Sequence, residues 1–248
     1  MCIRDSPQLY GNKTGISENI VVSNCVLMSR SAAIRIGYGE HTIRNAVFSN
    51  IVIYDSNRGI GIFARDTASI ENIEFNNIQI NTRLHKGHWW GKGEPIHVSA
   101  IRQKENVPVG VIKNIRFSNI TASAETGILL LSDETDKIQN LKFDNLDLTI
   151  RKSPIDDIYG GNIDLRPAYK KDKQLYKSDL AAIQALGITN LKLENVEVKW
   201  EANMADYFTN ALYCEKVKGG YVRYFSGEGA SSKFKGIQVE NSTLAIMK

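Results

Sequence analysis

The stretch Lys113-Asn-Ile-Arg-Phe-Ser-Asn119-Ile recurs, with small changes, along the whole chain. The clear copies carry their second asparagine at Asn24, Asn50, Asn77, Asn119, Asn145 and Asn195, and weaker copies end at Tyr224 and Asn241. The intervals between these positions are 26, 27, 42, 26, 50, 29 and 17 residues. Because a recurring period is typical of repeat architectures, the spacing predicts a unit of about 26 residues with two insertions.

Apolar residues alternate within each copy. In the copy quoted above, Ile115 and Phe117 precede the second asparagine and Ile120 follows it. A period of two that is interrupted once predicts two short strands joined at the asparagine. Asparagine tolerates the left-handed backbone of such a corner better than most residues, and amides stacked from one repeat to the next can form hydrogen bonds with each other.

A third apolar run follows about ten residues after each corner, and its copies are residues 33–37, 59–63, 95–99, 127–131, 182–186 and 211–215. No helical periodicity is sustained anywhere in the chain. Three strands in about 26 residues predict an all-β fold: a single-stranded parallel β-helix of about eight coils, with a core of stacked apolar side chains.

The alternation also assigns the two faces of the third strand. The residues predicted to point inward are Ile34, Ile36, Ile60, Ile62, Ile96, Val98, Ile128 and Leu130. The predicted outward row is Arg35, Gly61, His97, Leu129, Gln184 and Tyr213. Cys25 and Cys214 fall at inward positions, so we interpret both as core residues and predict no metal site and no cysteine–histidine dyad.

The composition is that of an ordinary folded domain, with 42% hydrophobic residues, 23% charged residues and a net charge of +4. This excludes a disordered chain, and no apolar run reaches the roughly 18 residues of a membrane span. Basic residues scattered among acidic ones are typical of a solvated surface, so we expect neither a nucleic-acid partner nor a membrane partner. Three cysteines, an odd number, do not predict a disulfide framework.

The first six residues, Met1 to Ser6, lack the apolar segment of a signal peptide. They read like the in-frame translation of a sequencing adapter. We therefore expect residues 1–6 to be an artefact and residues 7–248 to be one domain, the C-terminal part of a longer protein.

Two departures from the 26-residue period are the best sequence pointers to function, because loops inserted into a rigid scaffold usually carry it. The insertion at residues 83–95 contains Trp89 and Trp90 in a glycine-rich setting. At least one indole should be free to stack on a sugar ring, although both could form a local hydrophobic plug. The insertion at residues 151–179 contains Asp164 and Arg166, which could form a salt bridge at the rim, and a lysine-rich run from Lys170 to Lys177 that we interpret as a solvated loop.

Three stretches of the sequence resemble glycoside hydrolase family 28, the polygalacturonases and their relatives. They are Asn24-Cys25, the spacing from Ser29 to Ile34-Arg-Ile-Gly37, and Asn57-Arg-Gly-Ile60-Gly-Ile62. The resemblance extends over the chain from Ile16. It implies a right-handed parallel β-helix and an inverting hydrolase whose catalytic aspartates lie on coils before Pro7.

Two motifs of the pectin-cleaving members are absent. A Gly-His-Gly motif would fall at Ser31-Ala32-Ala33, and an Arg-Ile-Lys motif that binds a uronate carboxylate would fall at Gly61-Ile62-Phe63. The outward face is still polar, which indicates a different sugar more than an inactive surface.

An inverting mechanism requires two carboxylates roughly 6.5–9.5 Å apart, one acting as the acid and the other as the base. The sequence offers Asp66 and Glu94 as catalytic candidates, and Asp66 could instead pair with Arg65 or Arg58 at a turn. The predicted substrate-binding residues are Arg35, Arg58, Arg65, His88, Trp89, Trp90, Lys92 and His97.

The leading hypothesis is a hydrolase that cleaves O-glycosyl bonds of a plant or algal polysaccharide. The alternatives are a polysaccharide lyase on the same scaffold, although the outward row contains no acidic calcium cluster, and a non-catalytic carbohydrate-binding or adhesin-like β-helix. We expect a polysaccharide or oligosaccharide as partner, no metal or other cofactor, and a monomer. The resemblance implies secretion or a periplasmic location.

Overall fold

The computed structural model describes residues 2–3, 15–170, 174–177 and 179–247. The interpretation of residues 1–6 as an adapter therefore falls largely outside the described residues. Part of the lysine-rich run also lies outside them, at residues 171–173. Lys170 and Lys177, which flank that gap, are exposed.

The chain is all-β and is built mainly from two eight-stranded parallel sheets. The strands of the two sheets alternate along the chain over most of its length. The first sheet contains β1 (Cys2–Ile3), β3 (Ala32–Gly37), β5 (Arg58–Ala64), β7 (Glu94–Ala100), β9 (Ile128–Ser132), β13 (Ile183–Leu186), β15 (Leu212–Glu215) and β17 (Ile237–Glu240). The second contains β2 (Ile16–Leu27), β4 (Thr42–Ser56), β6 (Ser69–Thr82), β8 (Val111–Ala124), β10 (Ile138–Ile150), β14 (Thr189–Trp200), β16 (Lys218–Ser226) and β18 (Ala245–Met247).

The predicted register is confirmed. Each strand pairs in parallel with the equivalent strand of the next repeat, so that Ile115 of β8 lies opposite Ile73 of β6 and Leu141 of β10. The third strands predicted from the sequence form the first sheet. The other two predicted strands form a single long strand of the second sheet, which bends at the asparagines. This arrangement is consistent with a parallel β-helix.

Two ladders of asparagine side chains run across the second sheet, whereas the sequence predicted only the second of them. In both ladders the asparagines have φ between 52° and 60°. The first ladder is continuous, with each amide donating to the asparagine before it, through Asn19, Asn45, Asn72, Asn114, Asn140 and Asn190. In the second ladder Asn119 donates to Asn76 and Asn195 donates to Asp144. In both cases the acceptor is the residue just before the corner asparagine of the preceding repeat, and both cases fall at the long intervals that contain insertions.

The core follows from the register, because residues at the same position in each repeat stack. Four phenylalanines, Phe48, Phe75, Phe117 and Phe143, have consecutive ring centroids 4.9, 4.9 and 4.6 Å apart. All eight predicted inward residues of the first sheet are fully buried. Cys214 is buried as predicted, while Cys25, near the open edge of the sheet, is partly buried.

Three details differ from the sequence prediction. Asn241 follows β17 in the first sheet and pairs with the position after β15, so it is not a corner of the repeated stretch. The 42-residue interval contains two loops, 83–93 and 101–110, and the sequence analysis recognised only the first. The longer insertion contains a one-turn helix, α1 (Asp156–Tyr159), and an antiparallel pair, β11 (Ile163–Asp164) and β12 (Leu175–Tyr176).

The first ladder should contribute measurably to stability. Asn114 donates to Asn72 at 2.9 Å and accepts from Asn140 at 2.8 Å. Asn114→Gly keeps the left-handed backbone but removes both bonds, so the free energy of unfolding should fall by about 1–3 kcal/mol in urea titrations. Asn114→Ala should cost about 1–2 kcal/mol more, because alanine is strained at φ 58°.

Asn203 provides the matched control, because it also has φ 58° but is exposed and lies outside both ladders. Asn203→Gly should change the free energy of unfolding by no more than about 0.5 kcal/mol. Equal losses for Asn114→Gly and Asn203→Gly would show that the ladder adds nothing to stability.

Candidate functional site

The insertion between β10 and β13 covers the middle of the outward row of the first sheet. His97 and Leu129 are fully buried and Gln184 is 3% exposed. The Arg58 guanidinium donates to Asp164 O at 2.9 Å, and that of Arg65 donates to Leu165 O at 3.3 Å. His97, which the sequence predicted to bind substrate from this row, is therefore covered, because a folded loop lies on the centre of the row.

A buried charge cluster lies beneath this insertion. Arg58 Nε donates to Glu94 Oε1 at 2.5 Å, and His97 Nδ1 lies 3.2 Å from the same oxygen. Burial alone would raise the pKa of Glu94, but the charge of Arg58 and the hydrogen bond from His97 lower it to about 2. Glu94 is thus ionised at neutral pH and cannot act as a general acid there.

His97 is held neutral in this cluster. Burial, followed by the positive charge of Arg58, lowers its pKa to about 4. Nδ1 donates its hydrogen to the ionised Glu94, so Nε2 is left as an acceptor. Among the residues that the structure describes, His97 Nε2 has no hydrogen-bond partner.

The ring of Phe63 packs against two guanidiniums and an imidazole. Its ring lies 5.0 Å from the guanidinium carbon of Arg58 and 5.1 Å from that of Arg65, and it meets the His97 ring edge-on at 5.1 Å. Gly61 makes this possible, since a Cβ at residue 61 would lie 2.6 Å from Phe63 Cζ. Gly61 and Phe63, which stand where the resemblance would place an Arg-Ile-Lys motif, therefore depend on each other, because only a residue without a Cβ leaves room for the ring.

Arg65 is a structural part of the same region. Its guanidinium donates to the backbone and side-chain oxygens of Ser99, both at 2.9 Å. Burial, followed by the charge of Arg58, lowers its pKa to about 9. Arg65 thus links β5, β7 and the insertion.

The 83–93 loop is held by hydrogen bonds along its backbone. Asn57 donates to Trp90 O and Gly91 O, at 3.4 and 2.9 Å. Gly91 N donates to Asp164 Oδ2 at 3.3 Å, and Lys92 N donates to Glu94 Oε2 at 2.5 Å. The loop therefore presents its two tryptophans from a fixed backbone.

The two indoles are exposed and line different cavities. Trp89 is 40% exposed and Trp90 is 38% exposed, so neither acts as a buried plug. Arg30 lies over the Trp89 ring at 5.6 Å, and Arg35 lies over the Trp90 ring at 5.0 Å. Each indole is therefore accompanied by an arginine of its own.

The cavity beside Trp90, which we term the Trp90 cavity, has a volume of about 390 Å³. It is lined by Ser29, Ser31, Ala32, Arg35, Tyr38, Arg58, Phe63, Trp90, Arg166 and Pro167. Arg58 is paired with Glu94, and Arg166 forms a bidentate pair with Asp164, at 2.8 and 2.9 Å. Three guanidiniums beside three aromatic rings suit a ligand that combines an apolar ring face with an anionic or hydroxyl-rich edge.

The remaining predicted binding residues lie outside this cavity. His88 is exposed on the loop. Lys92 Nζ lies 3.4 Å from Tyr159 O of the insertion, and burial lowers the pKa of Lys92. The carboxylate of Asp66 lies 3.6 Å from Lys104 Nζ, and no ion pair of Asp66 with Arg58 or Arg65 is found in the described part of the chain.

Asp66 and Glu94 are too far apart to form one acid–base pair. The register places Glu94 opposite Arg58, where β5 begins, whereas Asp66 follows Ala64, where β5 ends. Six residues of strand span about 20 Å, and an inverting mechanism requires about 6.5–9.5 Å. The candidates predicted from the sequence therefore do not act as a couple.

Several residues around the cavities were missed by the sequence analysis. The Asp164–Arg166 salt bridge is confirmed, but the place of Arg166 in the Trp90 cavity depends on how the insertion folds. Tyr38 has φ 75°, which breaks the strand alternation that could have revealed it. Farther along the outward row, Glu215 lies opposite Glu240 beside a cavity of about 470 Å³.

Within the described residues, no group of three or more His, Cys, Asp or Glu side chains is arranged to hold a metal ion. No helix in the described part of the chain is both long and apolar enough to span a membrane.

Neither a scan against protein-family models nor searches of curated proteins and of solved structures found a match. The resemblance to glycoside hydrolase family 28 therefore stays a prediction from the motifs in the sequence.

The buried state of His97 predicts a pH dependence of stability. The pKa of His97 is about 4 in the folded chain and about 6.5 when the chain is unfolded, so the unfolded state binds more protons between these values. The free energy of unfolding should fall by about 2 kcal/mol between pH 7 and pH 5 on this account. The stabilisation that follows from the low pKa of Glu94, about 2, is almost fully present between pH 5 and pH 7 and is lost only as the pH falls below this window.

Urea titrations at pH 5, 6 and 7 should show this slope in the wild type and a flatter one in His97→Gln. His88→Gln, which changes an exposed histidine of the loop, should keep the wild-type slope. A slope that is unchanged in His97→Gln would mean that His97 is not held neutral by its surroundings.

Proposed function

We propose that this protein is a right-handed parallel β-helix of the polygalacturonase-like class and that it binds an acidic polysaccharide in the Trp90 cavity. The observation that carries the proposal is the convergence of Arg35, Arg58 and Arg166 with Trp90 and Tyr38 around one cavity. Aromatic faces stack on apolar faces of sugar rings, and guanidiniums bind carboxylates or sulfate esters.

The rigid surroundings support binding. The side chains of Arg58 and Arg166 are held by buried carboxylates, and the backbone of Trp90 is held by Asn57. Little conformational entropy remains to be lost when a ligand binds to groups that are already ordered. The two guanidiniums are thus already ordered, whereas flexible lysines would have to be ordered by the ligand.

Hydrolysis of an O-glycosyl bond is the leading activity, on the strength of the family resemblance. It needs one carboxyl group that is protonated and one that is ionised. Glu94 and Asp164, which lie next to the Trp90 cavity, are both buried carboxylates engaged in ion pairs with its arginines. We therefore assign them to positioning the arginines, and the acid–base pair to other carboxylates.

The second candidate function is non-catalytic carbohydrate binding. The same ion pairs favour it, because a site that needs only to bind has no use for a protonated carboxyl group. A lyase is the third candidate, since it would use an arginine or lysine as base and would release unsaturated products. A polymeric substrate also fits a secreted or periplasmic protein, and we propose that location on the same grounds.

The three candidates differ in their products. The protein is incubated with polygalacturonate, alginate and a sulfated galactan, and new reducing ends, ultraviolet absorbance of unsaturated sugars and binding are measured in parallel. A hydrolase yields reducing ends without absorbance, a lyase yields both, and a binding protein yields neither. Absence of binding to all three polymers would contradict the proposal.

If cleavage occurs, three variants locate the carboxylates. Asp66→Asn tests the candidate predicted from the sequence, and Glu215→Gln and Glu240→Gln test the neighbouring pair revealed by the register. A change that abolishes cleavage but preserves polymer binding identifies a catalytic residue. Inversion is checked by following the anomeric proton of the first product by NMR.

Trp90→Ala should weaken binding of the preferred polymer about tenfold, because it removes the exposed stacking surface of the cavity. Affinity electrophoresis or calorimetry provides the measurement. Tyr54→Ala is the matched control, because Tyr54 is an aromatic residue of the second sheet that is 47% exposed and is not among the residues that line the cavity. Equal affinities for Trp90→Ala and the wild type would remove the Trp90 cavity from the binding site.

A further inference from the structure

The cavity beside Trp89, which we term the Trp89 cavity, has a volume of about 510 Å³ and is lined in part by residues of the same 83–93 loop that carries Trp90. The residues that matter in it are Arg30, Arg83, His85, Lys86, Trp89 and Glu125. Apart from Trp89, the sequence analysis singled out none of these residues for binding. The cavity shares its main chemistry with the Trp90 cavity, an exposed indole with an arginine over its ring.

The charges in the Trp89 cavity leave room for an anion. Arg83 is engaged in a salt bridge with Asp55, and Glu125 accepts a hydrogen bond from Leu84 N at 2.8 Å. Within the described residues, neither Arg30 nor Lys86 forms a salt bridge. Two cations without a salt bridge therefore line the cavity together with the Trp89 indole, and one of them, Arg30, lies over its ring.

His85 adds a neutral polar group. Burial, followed by the charge of Arg83, lowers its pKa, and its Nε2 lies 3.2 Å from Asp55 O. A neutral imidazole that donates from Nε2 carries its acceptor at Nδ1, which suits a sugar hydroxyl. The side chains of the Trp89 cavity therefore suit an anionic sugar as ligand, like those of the Trp90 cavity.

The two cavities are joined by a rigid backbone. The Cα atoms of consecutive residues are about 3.8 Å apart, so one oligosaccharide can reach both indoles. The loop is fixed on both sides of the tryptophans, since Arg166 donates to Trp89 O at 3.4 Å and Asn57 donates to Trp90 O at 3.4 Å. Two subsites at a fixed separation select for ligand length, because a short ligand fills only one of them.

We propose that the Trp89 cavity is a second subsite, so that one acidic saccharide chain crosses the 83–93 loop with a sugar against each indole and an anionic group near Arg30. This inference rests on the proposed function, because it takes the ligand of the Trp90 cavity to be an acidic saccharide. The inference adds two claims that the Trp90 cavity alone does not make. The ligand must be long enough to reach both indoles, and the residues of the Trp89 cavity take part in binding it.

The test uses oligosaccharides of two and six residues prepared from polygalacturonate, alginate and a sulfated galactan, with affinities measured by isothermal titration calorimetry on the full chain. For the polymer that binds best, the wild type should bind the six-residue ligand at least tenfold more tightly than the two-residue ligand. Trp89→Ala and Arg30→Gln should each remove most of that gain while leaving the affinity for the two-residue ligand unchanged.

The outcomes separate the two proposals. If Trp90→Ala weakens both ligands while Trp89→Ala and Arg30→Gln bind like the wild type, the second subsite is overturned and the Trp90 cavity stands. Equal wild-type affinities for the two lengths also overturn it. If no oligosaccharide binds, or if Trp90→Ala has no effect, the proposed function fails as well. Both Trp89 and Arg30 are exposed, and thermal unfolding checks that their variants are folded.

Discussion

Each asparagine in the two ladders holds a backbone conformation that few other side chains tolerate and also forms hydrogen bonds through its amide to the next repeat. Along the first ladder, from Asn19 to Asn190, the bend and the amide contact occur at the same position in each repeat, so a strand that slipped by one residue would lose both. The register of the sheets depends on this constraint. Because the register is fixed, Phe75 lies over Phe48 and under Phe117, and the core is formed by repetition of one arrangement.

The region around the Trp90 cavity departs from this repeated arrangement. Where the insertion lies on the first sheet, the outward row carries Gly61 and His97 beside Phe63, with Arg58 and Glu94 at the edge. A buried ion pair is weak evidence for stability, because desolvation offsets much of the attraction between the charges. Here the pair has a positional effect, since the same guanidinium that neutralises Glu94 also binds Asp164 O and fixes the insertion. The insertion forms part of the wall of the Trp90 cavity, so that wall depends on the contact between Arg58 and the insertion.

The repeat, the strand faces and the corner asparagines of the second ladder could be predicted, because each depends on the local alternation of side chains, whereas the first ladder was missed. The prediction failed where distant segments meet. His97 was correctly placed in the outward row, but its burial depends on the insertion after β10, whose Asp164 and Leu165 carbonyls bind Arg58 and Arg65 beside it. Asp66 and Glu94 looked like neighbours because they belong to successive strands, yet the register places them at opposite ends of those strands. Arg166 entered the site from an insertion whose path carries no periodic signal.

The distribution of carboxylates constrains the chemistry more than the cavity shape does. Glu94 and Asp164 give the Trp90 cavity fixed guanidiniums, and the low pKa of Glu94, about 2, leaves that carboxylate ionised near neutral pH. A group cannot both neutralise a buried arginine and serve as a general acid, because protonation would leave the arginine charge uncompensated. Binding and catalysis in such a site must therefore be assigned to different carboxylates. In the described part of the chain, Glu215 and Glu240 are on neighbouring strands beside a cavity, and Tyr213 already donates a hydrogen bond to Glu240 at 3.1 Å.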